Sequence, residues 1–304
     1  MGVVLTTTTQ NDTLRRRTDV RLPLLARPGT ERAFVFLARL MIYSAMLILL
    51  ALLVDIIGDG VERLSFKFFT SFPSRKAEQA GILAAWTGSL YLIGLTISFA
   101  FPVGVGAAIY LEEYSTRGRI TRIIELCIAN LAGVPSVIYG LLGLQLFVRT
   151  LGFNRSLISG ALTLALLVLP IIIMASREAL RTVPKGYREG ALALGATKWQ
   201  TTWTQVLPVA LPGILTGCIL AFSRAIGETA PLVTLGALTY VAQVPDSIFA
   251  PFTALPIQAF NWLSRPQSEF HANAAAAITV LLVIMLVINT VAIIVRSKFQ
   301  RRQR

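Results

Sequence analysis

Six long apolar runs constrain this chain more than any other feature of its sequence. They are Phe34–Val54, Leu83–Tyr110, Leu126–Val148, Leu157–Ala175, Pro208–Leu238 and Ala274–Val295. A hydrocarbon core of about 30 Å is crossed by about 20 helical residues, so each run is long enough to span it. Because lipid offers no hydrogen-bond partners, the backbone in such runs must bond within its own segment. The runs therefore predict an all-α, polytopic integral membrane protein with six transmembrane helices.

The composition agrees with a bilayer as the solvent. Of the 304 residues, 55% are hydrophobic and only 14% are charged. A soluble domain carries about 25% charged residues, which is nearly twice this fraction. The two cysteines, Cys127 and Cys218, lie inside apolar runs and imply no disulfide framework. His271 is the only histidine, so a histidine-based metal site is not expected.

The net charge of +13 reports orientation rather than a nucleic-acid partner. With the N-terminus inside the cell, most of the Lys and Arg residues fall on the inner segments. The inner segments are the N-terminal tail, the loop that contains Arg117, the loop that contains Arg177–Lys198, and the C-terminal segment Arg296–Arg304. This is the positive-inside pattern, and it predicts that both termini are cytoplasmic. The sequence thus divides into an N-terminal tail, residues 1–33, and a membrane domain, residues 34–304.

Prolines interrupt three of the predicted spans, at Pro102, Pro135 and Pro170. Membrane helices tolerate proline, so one reading is a set of simple kinks. The other is that broken helices line a cavity, as they do in transport proteins.

The longest inner loop, residues 177–207, contains a predicted helix–turn–helix. Pro184 suits the first turn of a helix, and Gly195 suits the left-handed position that ends it. Thr197 and Gln200 have the spacing of a capping box, which opens a second short helix. The outward faces are expected to carry Tyr187, Arg188, Glu189, Leu192, Leu194 and Trp199. A loop of this kind either lies on the membrane or docks a soluble partner.

The residues of this loop resemble the EAA loop of ABC importer permeases. The match consists of Glu189, Gly190, Ala191, Gly195 and the pair Leu207-Pro208 at the family spacing. Gly190 replaces the middle Ala, and Gln205 replaces the usual Ile. The resemblance implies that Glu189, Gly190, Ala191 and Gly195 belong to coupling helices that dock onto an ATP-hydrolysing subunit.

The fifth run presents two charges on a face of small residues. At 100° per residue, Gly213, Gly217, Ala221, Arg224 and Glu228 fall within one narrow arc. Because a charge facing lipid is costly, this face is expected to point into the protein. The pair Arg224 and Glu228 is either a structural i,i+4 ion pair or part of a transport pathway. In a pathway, the carboxylate would keep the cation from binding an anion too tightly to release it.

Three sequence blocks extend the resemblance over nearly the whole chain. They are Gly133–Gly140 (GVPSVIYG), Arg224–Pro231 (RAIGETAP) and Leu255–Trp262 (LPIQAFNW). All three resemble PstA-type permeases of bacterial phosphate ABC importers. The first two also resemble the sister permeases, which are PstC-type, so the sister family and a permease for another oxyanion remain alternatives.

The resemblance implies a type I ABC importer permease fold in the bacterial inner membrane, with residues 83–295 as its core. The implied partners are a PstC-type permease, a PstB-type ATPase dimer, an external phosphate-binding protein and the lipid bilayer. It also implies phosphate as the substrate, Arg224 and Glu228 as pathway residues, and ATP bound by the ATPase rather than by this chain. No cofactor and no nucleic acid are expected.

Other functional classes fit the sequence less well. The chain lacks G-x-x-x-x-G-K-[ST], so it is not expected to hydrolyse nucleotide itself. A secondary transporter would share the buried charges but would need no EAA loop. A channel would need a filter-like segment, and an intramembrane enzyme would need a catalytic set of side chains. Neither feature is found in the sequence.

Overall fold

The computed structural model describes residues 28–116, 118–237 and 240–301, and these ranges fold into helices without a strand. Of the predicted tail, residues 1–33, the first 27 residues therefore lie outside the described part of the chain. Arg117 and the last three residues, which contribute to the predicted charge bias, lie outside them as well. The α-helices are α1 Pro28–Val61, α2 Phe66–Thr70, α3 Leu83–Ile109, α4 Arg119–Ala132, α5 Ser136–Gly143, α6 Leu157–Arg181, α7 Lys185–Ala193, α8 Lys198–Thr201, α9 Leu207–Gly227, α10 Ala230–Leu235, α11 Leu255–Leu263 and α12 Glu269–Arg301.

Short π-helical segments extend three of these helices. They are Tyr110–Tyr114 after α3, Leu144–Thr150 after α5, and Thr202–Val206 between α8 and α9. A π segment accommodates one extra residue in a helical turn and is often found at functional positions. As a result α8 and α9 form one continuous helix, Lys198–Gly227.

Five helices in the described part of the chain are long and apolar enough to cross a membrane. They are Ala33–Val61, Leu83–Tyr114, Leu157–Arg181, Lys198–Gly227 and Glu269–Lys298. A sixth span is obtained when the bent pair Arg119–Ala132 and Ser136–Thr150 is counted as one. The predicted all-α membrane fold is confirmed.

The third predicted span, Leu126–Val148, is broken at Pro135, and the break is more than a simple kink. Helices α4 and α5 meet at an angle of 103°. Pro135 sits just before α5 with an extended ψ of 137°. Proline lacks an N–H and disfavours a helical conformation of the residue before it, which explains the break. Pro102 and Pro170, by contrast, lie inside continuous helices.

The fifth predicted span also differs from expectation at both of its ends. The helix starts at Lys198, so the predicted second short helix of the loop is the first turn of a transmembrane helix. It ends at Gly227 rather than Leu238, and α10 follows as a separate helix. Pro231 accounts for the early end, because its ring would clash with the carbonyl of Gly227, four residues before it.

The chain divides into two compact units, residues 1–55 and 56–304. In the first unit the described part is the helical stretch of α1, whose side chains from Ala33 on are largely exposed and apolar. Exposure of apolar side chains on all sides of a helix is typical of a segment surrounded by lipid.

In the second unit, α6 lies at the centre and packs against both α3 and α9. Fully buried side chains such as Val168, Ile172 and Ile214 form this core. Gly213 allows a close approach of α9, since a Cβ there would lie 2.8 Å from Ala179 Cβ. Gly217 meets Ala175 of α6 even more closely. The small-residue stripe predicted on the fifth span is therefore a helix–helix contact.

A second core lies at the end of the unit where α3 begins. The ring of Trp262 in α11 is fully buried between Phe68 and Phe270, with ring centroids 6.0 and 6.5 Å away. The Ser89 hydroxyl accepts a hydrogen bond of 2.8 Å from the backbone N–H of Leu255 at the start of α11. The block Leu255–Trp262 thus builds the core of this end of the protein.

Candidate functional site: coupling loop and charged pair

The loop of residues 177–207, which we call the coupling loop after the family resemblance, adopts the predicted helix–turn–helix backbone. After α7, Gly195 takes a left-handed conformation with φ of +84°. The Thr197 hydroxyl accepts from Gln200 N at 3.3 Å, while the Gln200 side chain accepts from Thr197 N at 2.9 Å. The capping box is therefore complete and starts the long helix Lys198–Gly227. Pro184 stands at the N-cap of α7, one residue earlier than predicted.

The loop presents an exposed face of apolar side chains with one carboxylate. Glu189 is exposed and makes no ion pair with any of the residues that the structure describes. Gly190 lies on the same helix with open space around it, and Ala191 is half-buried. The exposed large side chains here are Tyr187, Leu192, Leu194, Trp199 and Trp203. An exposed apolar surface of this kind is typical of a site that contacts another protein or the membrane.

The sequence had suggested that Arg188 lies on this outward face, but the structure places it elsewhere. It turns toward the transmembrane helices and pairs with Glu113 in the π segment after α3. The prediction was wrong because a face count on α7 alone does not include the carboxylate that the end of α3 places beside it.

Three carboxylates and three arginines gather at this end of the helices, and we call them the loop-end charge cluster. Its members are Glu112, Glu113, Glu125, Arg177, Arg181 and Arg188. Arg177 of α6 contacts Glu125 of α4 at 2.5 Å and Glu112 at 3.5 Å. Arg181 contacts Glu112 at 3.0 Å. A cavity of about 520 Å³ lies beside these ion pairs.

The charged pair on the fifth span is formed as an ion pair. Arg224 Nε donates to Glu228 Oε1 at 3.1 Å. Glu228 is not on the helix, however, because it follows the last helical residue, Gly227, in an extended conformation. The carboxylate therefore reaches back to Arg224 from the connection to α10.

The face that was expected to point into the protein does so at Gly217 and Ala221, which are buried, but not at Arg224. The side chain of Arg224 is 47% exposed, whereas that of Glu228 is 17% exposed. The neighbouring residues Phe222, Ala225 and Ile226 are buried. Ala221, one turn earlier and about 60° from Arg224, is also buried, whereas Leu220, about 40° away on the other side, is exposed. The guanidinium therefore faces out of the subunit.

Two of the sequence blocks that carry the family resemblance meet beside this pair. A Cβ on Gly140 of α5 would lie 2.6 Å from the carbonyl oxygen of Pro231 in α10. Tyr139 donates a hydrogen bond of 2.8 Å to the carbonyl of Leu131 and so links the two arms of the bent span. Glycine at position 140 is required because any side chain would separate α5 from α10.

The sequence reasoning missed the loop-end charge cluster. Two signals could have indicated it. Adjacent carboxylates, Glu112 and Glu113, stand at the end of a predicted span, and Arg177 falls within one helical turn of another. Charges at these positions need partners, because the ends of the spans are partly buried.

Comparison with known proteins agrees with this architecture. Residues 100–304 match the family described as binding-protein-dependent transport system inner membrane component. The chain is 35% identical over 259 residues to the probable ABC transporter permease protein YqgI of Bacillus subtilis, covering 81% of this chain and 87% of that protein. It is 36% identical over 224 residues to the phosphate transport system permease protein PstA 1 of Mycobacterium tuberculosis, covering 74% and 72%. The PstA protein of Haemophilus influenzae is 33% identical over 241 residues, covering 79% and 84%.

Solved structures share the fold. A bacterial alginate ABC transporter in complex with its alginate-bound periplasmic protein superposes with a TM-score of 0.63 at 17% identity, covering 87% of this chain and 94% of that chain. An inward-facing MetNI methionine ABC transporter gives a TM-score of 0.57 at 16% identity, covering 70% and 93%. The predicted ABC importer permease fold is thereby confirmed, as is the PstA-type resemblance. The chain belongs to the family of binding-protein-dependent transport system inner membrane components, and within it to the PstA-like permeases.

Proposed function

We propose that this chain is the PstA-type half of the membrane pathway of an ATP-driven phosphate importer. A PstC-type permease completes the pathway, a PstB-type ATPase dimer binds the ATP, and an external phosphate-binding protein delivers the substrate. The chain is a transport component rather than an enzyme, as are the permeases of its family. Both termini face the cytoplasm, in line with the distribution of basic residues.

The observation that carries the proposal is the half-exposed Arg224 in a membrane-spanning helix. An ionised side chain at such a position faces the bundle interior, a water-filled cavity or another subunit rather than lipid. Since Arg224 points out of this subunit, a second permease packed there would place it at the shared interface. That is where a pathway between two permeases runs.

Glu228 adjusts how strongly this pathway binds an anion. Its carboxylate contacts the guanidinium on Nε and so offsets part of the positive charge. A transport site must bind the ion well enough to admit it and weakly enough to release it. The pair therefore favours passage of an oxyanion over tight capture.

The exposed face of α7 and the start of the long helix dock the ATPase. Closure of the ATPase dimer on ATP moves this docking face, and the attached helices switch from inward- to outward-facing. The binding protein then hands over its phosphate, and ATP hydrolysis resets the permease. Glu189, Gly190, Ala191 and Gly195 are the docking residues in this scheme.

The proposal is tested by reconstitution. The chain is co-expressed with the second permease and the ATPase of its own operon, and the purified complex is placed in proteoliposomes with ATP inside. We expect binding-protein-dependent uptake of radiolabelled phosphate, competed by unlabelled phosphate and not by sulfate. Uptake driven by a proton gradient without ATP would indicate a secondary transporter. Uptake of another oxyanion in place of phosphate would contradict the proposed substrate.

Docking is tested by charge reversal of Glu189. Glu189→Lys is expected to reduce co-purification of the ATPase while the permease still inserts into the membrane. The matched control is Glu78→Lys, which reverses an exposed carboxylate at the opposite end of the membrane helices. Equal retention of the ATPase by both variants would remove Glu189 from the docking surface.

A further inference from the structure

Arg188 makes more contacts than any other charged side chain of the coupling loop. Its Nε donates to both carboxylate oxygens of Glu113 at 3.1 Å, and Nη2 donates to Glu113 Oε1 at 2.6 Å. Nη1 donates to the carbonyl of Val183 at 2.8 Å, and Nη2 donates to that of Leu180 at 2.9 Å. The guanidinium thus bonds along its edges to three different segments.

These contacts join elements that are separate in the sequence. Arg188 lies in α7, and its side chain turns toward the transmembrane helices. Glu113 lies in the π segment that ends α3, and Leu180 lies in the last turn of α6. The last carbonyls of a helix have no partner within the helix, and a cation at that end is stabilised by the helix dipole. One side chain therefore fastens the loop helix to the ends of two transmembrane helices.

The geometry distinguishes this pair from an ordinary surface ion pair. The side chains of Arg188 and Glu113 are only 22% and 11% exposed. A bidentate arginine–carboxylate pair fixes both distance and orientation, which a lysine cannot do. Movement of α7 relative to α3 and α6 would break several charge-assisted hydrogen bonds together. Such movement is therefore opposed, and α7 moves with the helix ends.

We propose that Arg188 and Glu113 are positioning residues for energy coupling. They clamp the ATPase-docking helix to α3 and α6, so that displacement of the docking face is transmitted to the transmembrane helices instead of being absorbed in the loop. The proposal rests on the proposed function as an ATP-driven importer. It assigns to these two residues a role distinct from binding either the ATPase or the transported anion.

The rest of the loop-end charge cluster continues the connection. Arg177 ties α6 to Glu125 of α4 and to Glu112 beside Glu113. α4 is followed by the bent connection and α5, which packs against α10 next to Glu228. The clamp thus stands at the start of a contiguous series of packed elements that ends beside the charged pair. A contiguous series alone does not demonstrate energetic coupling, so a coupling measurement is needed.

The measurement is the number of ATP molecules hydrolysed per anion imported, in proteoliposomes holding the complete complex. Arg188→Gln and Glu113→Gln are each expected to raise this ratio, within the range of about 5- to 150-fold typical of a coupling between sites. Because both changes break the same clamp, the double variant should be no worse than the more affected single variant. ATPase co-purification should stay near that of the unaltered complex.

The control is Arg122→Gln, which removes an exposed guanidinium of α4 that makes no ion pair with the residues the structure describes. It should leave the ratio within about twofold of the unaltered complex, since independent sites show little interaction. A merely structural role of Arg188 would lower the yield of assembled complex but not the ratio per assembled complex. That outcome would overturn the proposal, as would loss of the ATPase in Arg188→Gln or multiplied effects in the double variant. If the unaltered complex imports another oxyanion, the substrate assignment fails, while the ratio measured with that anion still tests the clamp.

Discussion

Arg224 combines features that are usually found apart, because it belongs to a membrane-spanning helix and is paired but is still half exposed. A fully buried pair loses a large free energy when one partner is removed, since the other charge is left unpaired. An exposed pair contributes only about 0–1 kcal/mol. The Arg224–Glu228 pair lies between these limits because Glu228 is only 17% exposed, so uptake and stability have to be measured separately.

Replacing Arg224 tests the pathway role when uptake and stability are both measured. Arg224→Gln is expected to reduce phosphate uptake by about 10- to 150-fold, which corresponds to losing one charged hydrogen bond of about 1.5–3 kcal/mol. The complex should still assemble, and its thermal unfolding midpoint should fall by less than for the loss of one partner of a fully buried pair. Arg224→Lys keeps the charge and should retain part of the uptake. Uptake near the unaltered level in the double variant Arg224→Gln, Glu228→Gln, with the complex intact, would contradict the pathway role.

The coupling loop depends on a single turn between its helices. Gly195 has a φ of +84°, and no atom lies within 4 Å of the position a Cβ would take. Substitution there is therefore opposed by backbone strain alone and not by a clash. Gly195→Val is expected to distort the turn, destabilise the docking face by about 1–2 kcal/mol and abolish uptake while the protein still inserts.

Gly190 supplies the matched control for that variant. It also has open space around its Cβ position, but it lies inside α7 without a positive φ. Gly190→Ala should therefore be tolerated or stabilise the helix by about 0.5–1 kcal/mol. Equal uptake by Gly195→Val and Gly190→Ala, measured per inserted molecule, would show that the left-handed turn does not matter to transport.

The contact between α9 and α6 depends on the absence of a side chain at Gly217. Its Cβ position is occupied by Ala175, so Gly217→Val must separate the two helices. Overpacking of this kind costs about 1–3 kcal/mol or more. We expect a lower unfolding midpoint in detergent for Gly217→Val and no loss for Gly94→Ala, whose Cβ would have open space. A lower unfolding midpoint for Gly94→Ala than for Gly217→Val would mean that the contact at Gly217 does not limit stability.

Local chemistry explains which elements were predictable from the sequence. The turn at Gly195 and the capping box of Thr197 follow from residues next to one another, and the structure confirms both. The end of α9 at Gly227 was missed in the predicted span Pro208–Leu238, although Pro231 has no N–H to donate to the carbonyl of Gly227 and so marks that end. The partner of Arg188 was not predictable, since Glu113 lies 75 residues away and is brought close only by packing. The exposure of Arg224 likewise depends on how α9 crosses α6.

At the scale of the whole molecule, the predicted orientation of the helices in the membrane can be tested directly. The coupling loop and the segment before α3 lie at opposite ends of the helix Leu83–Tyr114, because Arg188 binds Glu113 at its far end. The distribution of basic residues predicts that the loop lies inside the cell. A cysteine at exposed Gln267 should therefore react with an impermeant thiol reagent in intact cells, whereas one at Lys185 should react only after lysis.

The background for this labelling must lack the two native thiols. Cys127 is exposed and Cys218 is buried, so both are replaced, by serine and alanine respectively. Labelling of the Lys185 cysteine in intact cells would contradict the orientation. The orientation would also be contradicted if the Gln267 cysteine did not react in intact cells but reacted after lysis.

The continuity of the helix Lys198–Gly227 gives the molecule a lever. With a rise of 1.5 Å per residue, its close contact with α6 at Gly217 lies about 28 Å from Lys198 and about 10 Å from Arg224. In a rigid tilt of this helix, the close contacts of Gly213 and Gly217 with α6 would act as the pivot between two unequal arms. A sideways push on the long arm swings Arg224 in the opposite direction by about a third of that distance. Under the proposed function, an ATP-driven movement of the helix end at Lys198 would thus become a smaller displacement of Arg224.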